Sequence, residues 1–170
     1  MTASLLPART WGSCLAWRWT ERETCLSRIP PGFRKISADG IITTVAGSGG
    51  SCFYGDGGPA TSAGFSAWSV AVDSTSDLFV ADFDDNRVRK VSPSGIITTV
   101  AGGGASLGSS GDGGPATSAA LSYPAAVTLD SANNLFVADA GNYRVRKVSP
   151  AASSPRWPAT ACQASLVMAG

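Results

Sequence analysis

The chain has no histidine among its 170 residues. That absence excludes a Ser-His-Asp or Cys-His nucleophile, a His-ligated zinc and imidazole acid–base chemistry. Charge is scarce as well: Asp, Glu, Lys and Arg make up 15%, against about 25% in an ordinary globular domain. The net charge of +1 sets up no long-range field toward nucleic acid or a membrane surface. Cysteines stand at 14, 25, 52 and 162 with no C-x-x-C pair, which is not the spacing of zinc or dithiol redox sites. Free thiols are the simplest reading, with a Cys14–Cys25 bridge as the one locally spaced alternative. No apolar run suits a bilayer, because the longest uncharged stretch, residues 91–111, is broken by glycines and serines. Membrane insertion is therefore not expected.

What the chain does have is repetition. GIITTVAG at 40–47 returns letter for letter at 95–102, an offset of 55. DGGPATSA at 56–63 returns at 112–119, LFVAD at 78–82 returns at 135–139, and RVRKVSP at 87–93 returns at 144–150. Four identical words in one order mean structural repeats of about 56 residues. SVAVD (69–73), LFVAD, RVRKV and IITTVA (96–101) are short, rich in β-branched residues and separated by turn-forming clusters. One unit is thus a four-stranded up-and-down antiparallel sheet. Leu78 and Val80 alternate with Phe79 and Ala81, so both faces are apolar and each sheet must be sandwiched between neighbours. Four-stranded units stacked face to face are the blades of a β-propeller.

The words LFVAD-FDDN-RVRKV and LFVAD-AGNY-RVRKV resemble the NHL repeat, in which an apolar strand ending in Ala-Asp is followed by a turn and Arg-Val-Arg. The GIITTVAG and GDGGPATSA words resemble a subgroup found in bacterial proteins and in teneurin-like propellers. The expected fold is all-β, a propeller segment of about two to three blades. Closed rings need at least four, so one chain does not close. The expected boundaries are a partial blade at 33–47, a complete one at 69–101 and a partial one at 125–150. Residues 1–32 lie outside the repeats and read as a disordered or transit-like lead, with Arg9 and Arg18 and no acid in the first 20 residues. In 151–170 a proline-bearing loop precedes a candidate edge strand at 164–169, against the alternative of a disordered tail. Unpacked end faces, with Val80 and Val137 as examples, would promote self-association.

The motifs carry little chemistry. Asp82-Phe83-Asp84-Asp85-Asn86 opens like a calcium loop, but Arg87 replaces the turn glycine and Pro93 the closing glutamate, leaving a hairpin turn. The glycine runs lack the Lys-Ser/Thr and helix of a phosphate cradle. No catalytic, cofactor or metal residue is assigned; the inner strands offer only Asp73 and Asp130. The repeated Asp82, Arg87 and Arg89, with Asp139, Arg144 and Arg146, are either structural ion pairs or a binding surface, and pairing of the two acids with the arginines is the favoured reading. The resemblance implies a non-enzymatic binding or scaffold module with a protein partner. Its alternatives are a fragment of a metal-dependent, gluconolactonase-like six-bladed enzyme and an RNA-binding face built on the Arg/Lys strand.

Overall fold

The computed structural model of the chain describes residues 17–19, 25–29, 32–37, 39–104, 110–150 and 162–163. The strands form three four-stranded antiparallel sheets, each with its strands in chain order. The first holds β1 (Trp17–Trp19), β2 (Cys25–Ile29), β3 (Gly32–Ile36) and β4 (Ile42–Ala46). The second holds β5 (Ala67–Val72), β6 (Leu78–Asp82), β7 (Arg87–Val91) and β8 (Ile97–Gly102). The third holds β9 (Pro124–Leu129), β10 (Leu135–Asp139), β11 (Arg144–Val148) and β12 (Cys162–Gln163). This is an open, all-β arc of propeller blades.

Local chemistry sets the hairpins. Asp73 Oδ1 accepts the N–H groups of Thr75 and Asp77 at 2.9 and 2.8 Å, closing the turn from β5 to β6. Asp130 does the same for Ala132 and Asn134 between β9 and β10. The strands then pair so that the repeated words coincide: Val80 faces Arg89 across β6 and β7, and Val137 faces Arg146 across β10 and β11. A bulge between Val88 and Arg89 has its counterpart between Phe33 and Arg34.

Period-two alternation sends the two apolar sets of the second sheet to different neighbours. Leu78, Val80, Val91 and Ile97 pack on the first sheet through Phe33 and Ala46. Phe79, Ala81 and Val88 pack on Val127, Leu135 and Val137 of the third. The inner strands also touch directly, Val127 donating its N–H to Ser69 Oγ at 3.3 Å. The connections 47–66 and 103–123 run between sheets, and each carries a DGGPATSA word that closes in one 3₁₀ turn, Ala60–Ser62 or Ala116–Ser118. The first connection also covers the outer edge of the second sheet, since Ile97 exchanges hydrogen bonds with Gly57 and Gly58. Covering an edge strand removes a template for uncontrolled pairing.

Two expectations are revised, and a third lies outside the described residues. The first sheet has four strands rather than two, because Cys25–Ile29 pairs with Gly32–Ile36 and Trp17–Trp19 pairs with Cys25–Ile29. These strands share no repeated word, so pattern-matching starts the blade at 33. Val80 and Val137 are fully buried, because they point at the preceding sheet rather than at an open end. The fourth strand of the last sheet is Cys162–Gln163, paired with Lys147 and Val148; the proposed strand at 164–169 lies outside the described residues.

Leu135 sits at the centre of an interblade core with no solvent exposure, whereas Tyr143 is almost fully exposed. Leu135→Ala is expected to lower stability by about 2–4 kcal/mol through lost burial and a cavity. Tyr143→Ala is expected to change it by less than about 0.5 kcal/mol. Urea denaturation of both variants checks this ordering.

Candidate functional site

The repeated arginines are the organising charges of the arc. Alternation along β7 turns Arg89 toward the incoming connection 47–66, where it is fully buried. Its Nε and Nη2 donate to Asp56 Oδ1 at 3.1 and 2.7 Å, its Nη1 to the Gly64 carbonyl at 2.9 Å and its Nη2 also to the Tyr54 carbonyl at 3.2 Å. Asp56 holds the outer strand as well, its Oδ2 accepting the N–H and hydroxyl of Thr99 at 3.1 and 2.6 Å. Arg146 repeats the arrangement in the third sheet except at its Nε, which is buried with no hydrogen-bond partner among the described residues. Arg146 is fully buried, ion-paired to Asp112, and donates to the carbonyls of Ala120 at 2.8 Å and Ser110 at 3.3 Å. Each arginine therefore clamps the connection that enters its own blade.

Gly55 and Gly111 make the clamp loops possible. Both have a positive φ, +90° and +97°, and a Cβ on either would come within 2.9 or 2.6 Å of the Cα of Ala63 or Ala119. Only glycine combines that backbone with that closeness.

The acids expected to pair with the arginines behave differently from each other. Asp139 is fully buried, accepts the Ser122 N–H at 2.7 Å and the Asn142 amide at 2.8 Å, and lies 3.8 Å from Arg146. Asp82 accepts the Ser66 N–H at 2.8 Å, but its Oδ2 has no hydrogen-bond partner. The ion-pair partner of Arg89 is Asp56, not Asp82. The difference traces to one residue: where the third blade has Asn142, the second has Asp85, whose Oδ2 is likewise unpartnered. An ionised carboxylate cannot donate to its neighbour as an amide does. Burial, opposed by the Ser66 N–H and reinforced by the Asp85 charge, pushes the Asp82 carboxyl from 3.8 to about 7.

The remaining predicted residues are scattered. Arg87 donates Nε to the Asp85 carbonyl at 3.0 Å, and its guanidinium lies 3.7 Å from the Phe53 ring centroid. Lys90 pairs with Asp77 at 2.7 Å. Arg144 stands half-buried, opposite Asp139 in the ladder. Asp73 and Asp130 close turns, and the Asn134 side chain holds the Asp130 carboxyl below its usual range. Among the described residues no group of three or more acidic, cysteine or histidine side chains is placed to hold a metal.

Sequence reasoning missed an aromatic row at one rim. Trp68, the bulged residue of β5, stacks on Phe83 with centroids 4.0 Å apart, and Phe83 meets Tyr123 at 5.0 Å. Trp68 remains 44% exposed and Tyr123 49%. The row joins two blades, and Asn86 Oδ1 fixes it by accepting the Tyr123 N–H at 2.7 Å. Asn86 and Tyr123 both hold left-handed backbone, φ 53° and 48°. Trp68 and Tyr123 lie outside the repeated words, so no periodicity marked them.

Comparison with known proteins agrees with this geometry. A family model for the Teneurin NHL domain matches residues 58–149. The chain belongs to the teneurin NHL family. Among its relatives, Teneurin-1 of Mus musculus is 32% identical over 96 residues, covering 49% of this chain and 4% of that protein. Teneurin-4 of Homo sapiens is 36% identical over 93 residues, covering 48% of this chain and 3% of that protein. The NHL chain thus spans a small fraction of the length of these teneurins. Solved structures show the fold alone. A structural genomics protein from Bacteroides thetaiotaomicron matches with a TM-score of 0.61 at 23% identity, over 74% of this chain and 32% of that one. An auxiliary nutrient binding protein from the same species matches at 0.57 and 18%, over 77% and 36%. A virginiamycin B lyase from Staphylococcus aureus, catalytically inactive with a histidine replaced by alanine, matches at 0.53 and 14%, over 86% and 41%.

The two acids yield two predictions. Asp139→Ala is expected to cost about 3–5 kcal/mol, because it strips a neighbour from buried Arg146 and orphans the Ser122 N–H, while Arg144→Ala costs less than about 0.5 kcal/mol. Denaturant melts separate them. For Asp82, the folded state binds more protons than the unfolded one between pH 4 and 7. Its contribution is therefore full below about pH 4 and is lost as pH rises through about 7. Asp85→Asn supplies the missing amide donor. It is expected to flatten the pH 4–7 decline relative to wild type and to raise stability at pH 7.5 by about 1–3 kcal/mol. Melts at pH 5 and 7.5 check this, and parallel profiles for the two proteins would contradict it.

Proposed function

We propose that this NHL segment is a non-enzymatic scaffold whose rim binds a protein partner. The observation that carries the reading is the row Trp68–Phe83–Tyr123, exposed yet held in one geometry across two blades. Rigid, half-exposed aromatic side chains are the preferred anchors of protein interfaces. The left-handed backbone at Tyr123, of the order of 1–2 kcal/mol unfavourable for a bulky residue, is strain retained at that rim.

The alternatives have weaker support. An RNA face needs exposed cations, and Arg89 and Arg146 are buried in clamps while Lys90 is paired. Lyase chemistry of the kind named for the Staphylococcus aureus neighbour, which is inactive once a histidine is replaced, has no histidine to use here.

The test is selection of peptides from a displayed library, followed by calorimetry. Binding in the micromolar range, weakened at least tenfold by Trp68→Ala and unchanged by Arg144→Ala, supports the reading. Selected peptides that bind equally well to Trp68→Ala would overturn it.

A further inference from the structure

The three rings of the rim row are tied through short backbone links to one acid pair, Asp82 and Asp85. Asp82 is fully buried and accepts the Ser66 N–H at 2.8 Å, while the Ser66 carbonyl accepts the Phe83 N–H, also at 2.8 Å. Ser66 stands two residues before Trp68, and Phe83 directly follows Asp82. Asp85 precedes Asn86, whose Oδ1 accepts the Tyr123 N–H at 2.7 Å. The segment 82–86 thus connects the pair to Trp68, Phe83 and Tyr123.

Asp82 Oδ2 and Asp85 Oδ2 are both buried without a hydrogen-bond partner among the described residues. The corresponding residues of the third blade are Asp139 and Asn142, and there the amide donates to the acid at 2.8 Å. Two carboxyls meet the same need only when one of them carries a proton to donate. The other charges nearby do not substitute for it. Arg89 is committed to Asp56 and to backbone carbonyls, and Arg87, opposite Asp82 in the ladder, turns to the Asp85 carbonyl and the Phe53 ring. In the connection 47–66 the Tyr54 hydroxyl bonds to Ser48 and Cys52 is exposed; Asp84 of the turn is exposed as well. β5, β8 and β9 carry no ionisable side chain, and the first sheet packs on β6 through Phe33 and Ala46. Burial, opposed by the Ser66 N–H, reinforced by the Asp85 charge and offset in part by Arg89, holds the Asp82 carboxyl at about 7.

We propose that a proton held between Asp82 and Asp85 locks the aromatic row in its binding geometry, so that the rim takes its partner below neutral pH and releases it as the pH rises. The inference rests on the rim reading and adds its regulation. Loss of the proton leaves two facing anions with buried oxygens. Asp85 is half-buried and next to exposed Asp84, so the relief open to the pair is a swing of this turn toward solvent. That swing takes Phe83 off Trp68 and Asn86 off Tyr123. The ordered state binds the extra proton, so order is full while the pair is protonated and is lost as the proton leaves. When only the protonated form binds, the competent fraction falls about tenfold from pH 6 to pH 8, and the apparent dissociation constant rises by the same factor.

The experiment has two arms, both on the full 170-residue chain, wild type and Asp85→Asn. In the free proteins, NMR follows the Tyr123 amide and the Trp68 indole from pH 5.5 to 8.5. The wild-type signals are expected to move together with a midpoint at about 7, and those of Asp85→Asn to stay in place. A wild-type titration without that midpoint would overturn the proposal whatever the variant does. The second arm is calorimetry with a capped, library-selected peptide that has no ionisable side chain. The wild-type dissociation constant is expected to be about tenfold higher at pH 8 than at pH 6, and that of Asp85→Asn to hold within about twofold. Trp68-dependent binding that changes less than threefold in wild type, or that weakens equally in Asp85→Asn, would overturn the switch and leave the rim reading standing. Binding indifferent to Trp68→Ala at both pH values would overturn the rim reading and the switch with it. Circular dichroism accompanies both arms, and loss of the strand signal at pH 8 would mean global unfolding and would also overturn the proposal.

Discussion

A buried guanidinium is costly to place unless its donors find acceptors, and the arrangement of this arc follows from how Arg89 meets that demand with all three nitrogens and Arg146 with its two Nη atoms. Each draws in an aspartate and two backbone carbonyls from the connection that precedes its blade. The irregular connection thereby becomes part of the interblade packing instead of a surface loop. Its apolar residues, Ala60, Ala63 and Phe65, then fill the space between the first and second sheets. Fixing the loop in turn places Thr99 on Asp56 and Ile97 against Gly57 and Gly58, which secures the outer edge. Sheet spacing, edge protection and loop conformation thus share one electrostatic origin.

The two blades also show how one substitution changes the physics of a repeated site. Asn142 and Asp85 stand 57 positions apart, in corresponding turns of the two blades. With an amide, the buried aspartate of the ladder has a donor; with a carboxyl, two acids face each other and one is held near neutral proton affinity. The neighbouring turn residues serve the rim: Asn86, next to Asp85, anchors Tyr123. The β6–β7 hairpin therefore contributes to both features, Arg89 to the buried clamp and Phe83 and Asn86 to the rim.

Most of the fold was legible because the repeated words are themselves strands and turns. LFVAD and RVRKV pair in one register in both blades. Four things were not legible. Trp17–Trp19 and Cys25–Ile29 join the first sheet by backbone pairing, which leaves no repeated word. Asp56 and Asp112 look like turn residues in a glycine-rich word, and their pairing with arginines more than 30 positions away depends on the path of the connection between sheets. Asp82 and Asp139 sit directly opposite Arg87 and Arg144 in the ladder, so sequence order favoured them as partners, while the side chains of Arg89 and Arg146 leave the sheet toward the preceding connection. The rim row was invisible for a different reason: Trp68 is the extra residue of a bulge, whose direction no alternation pattern encodes.

The claim that the arginine–loop clamp governs the packing is tested most directly by a double-mutant cycle of Asp112→Asn and Arg146→Met, followed by urea denaturation. The account predicts strong coupling, above about 1.5 kcal/mol, because once the guanidinium is gone the aspartate has no buried charge left to satisfy. Additive effects, within about 0.5 kcal/mol, would show that the connection is held by its apolar contacts alone and would contradict the account.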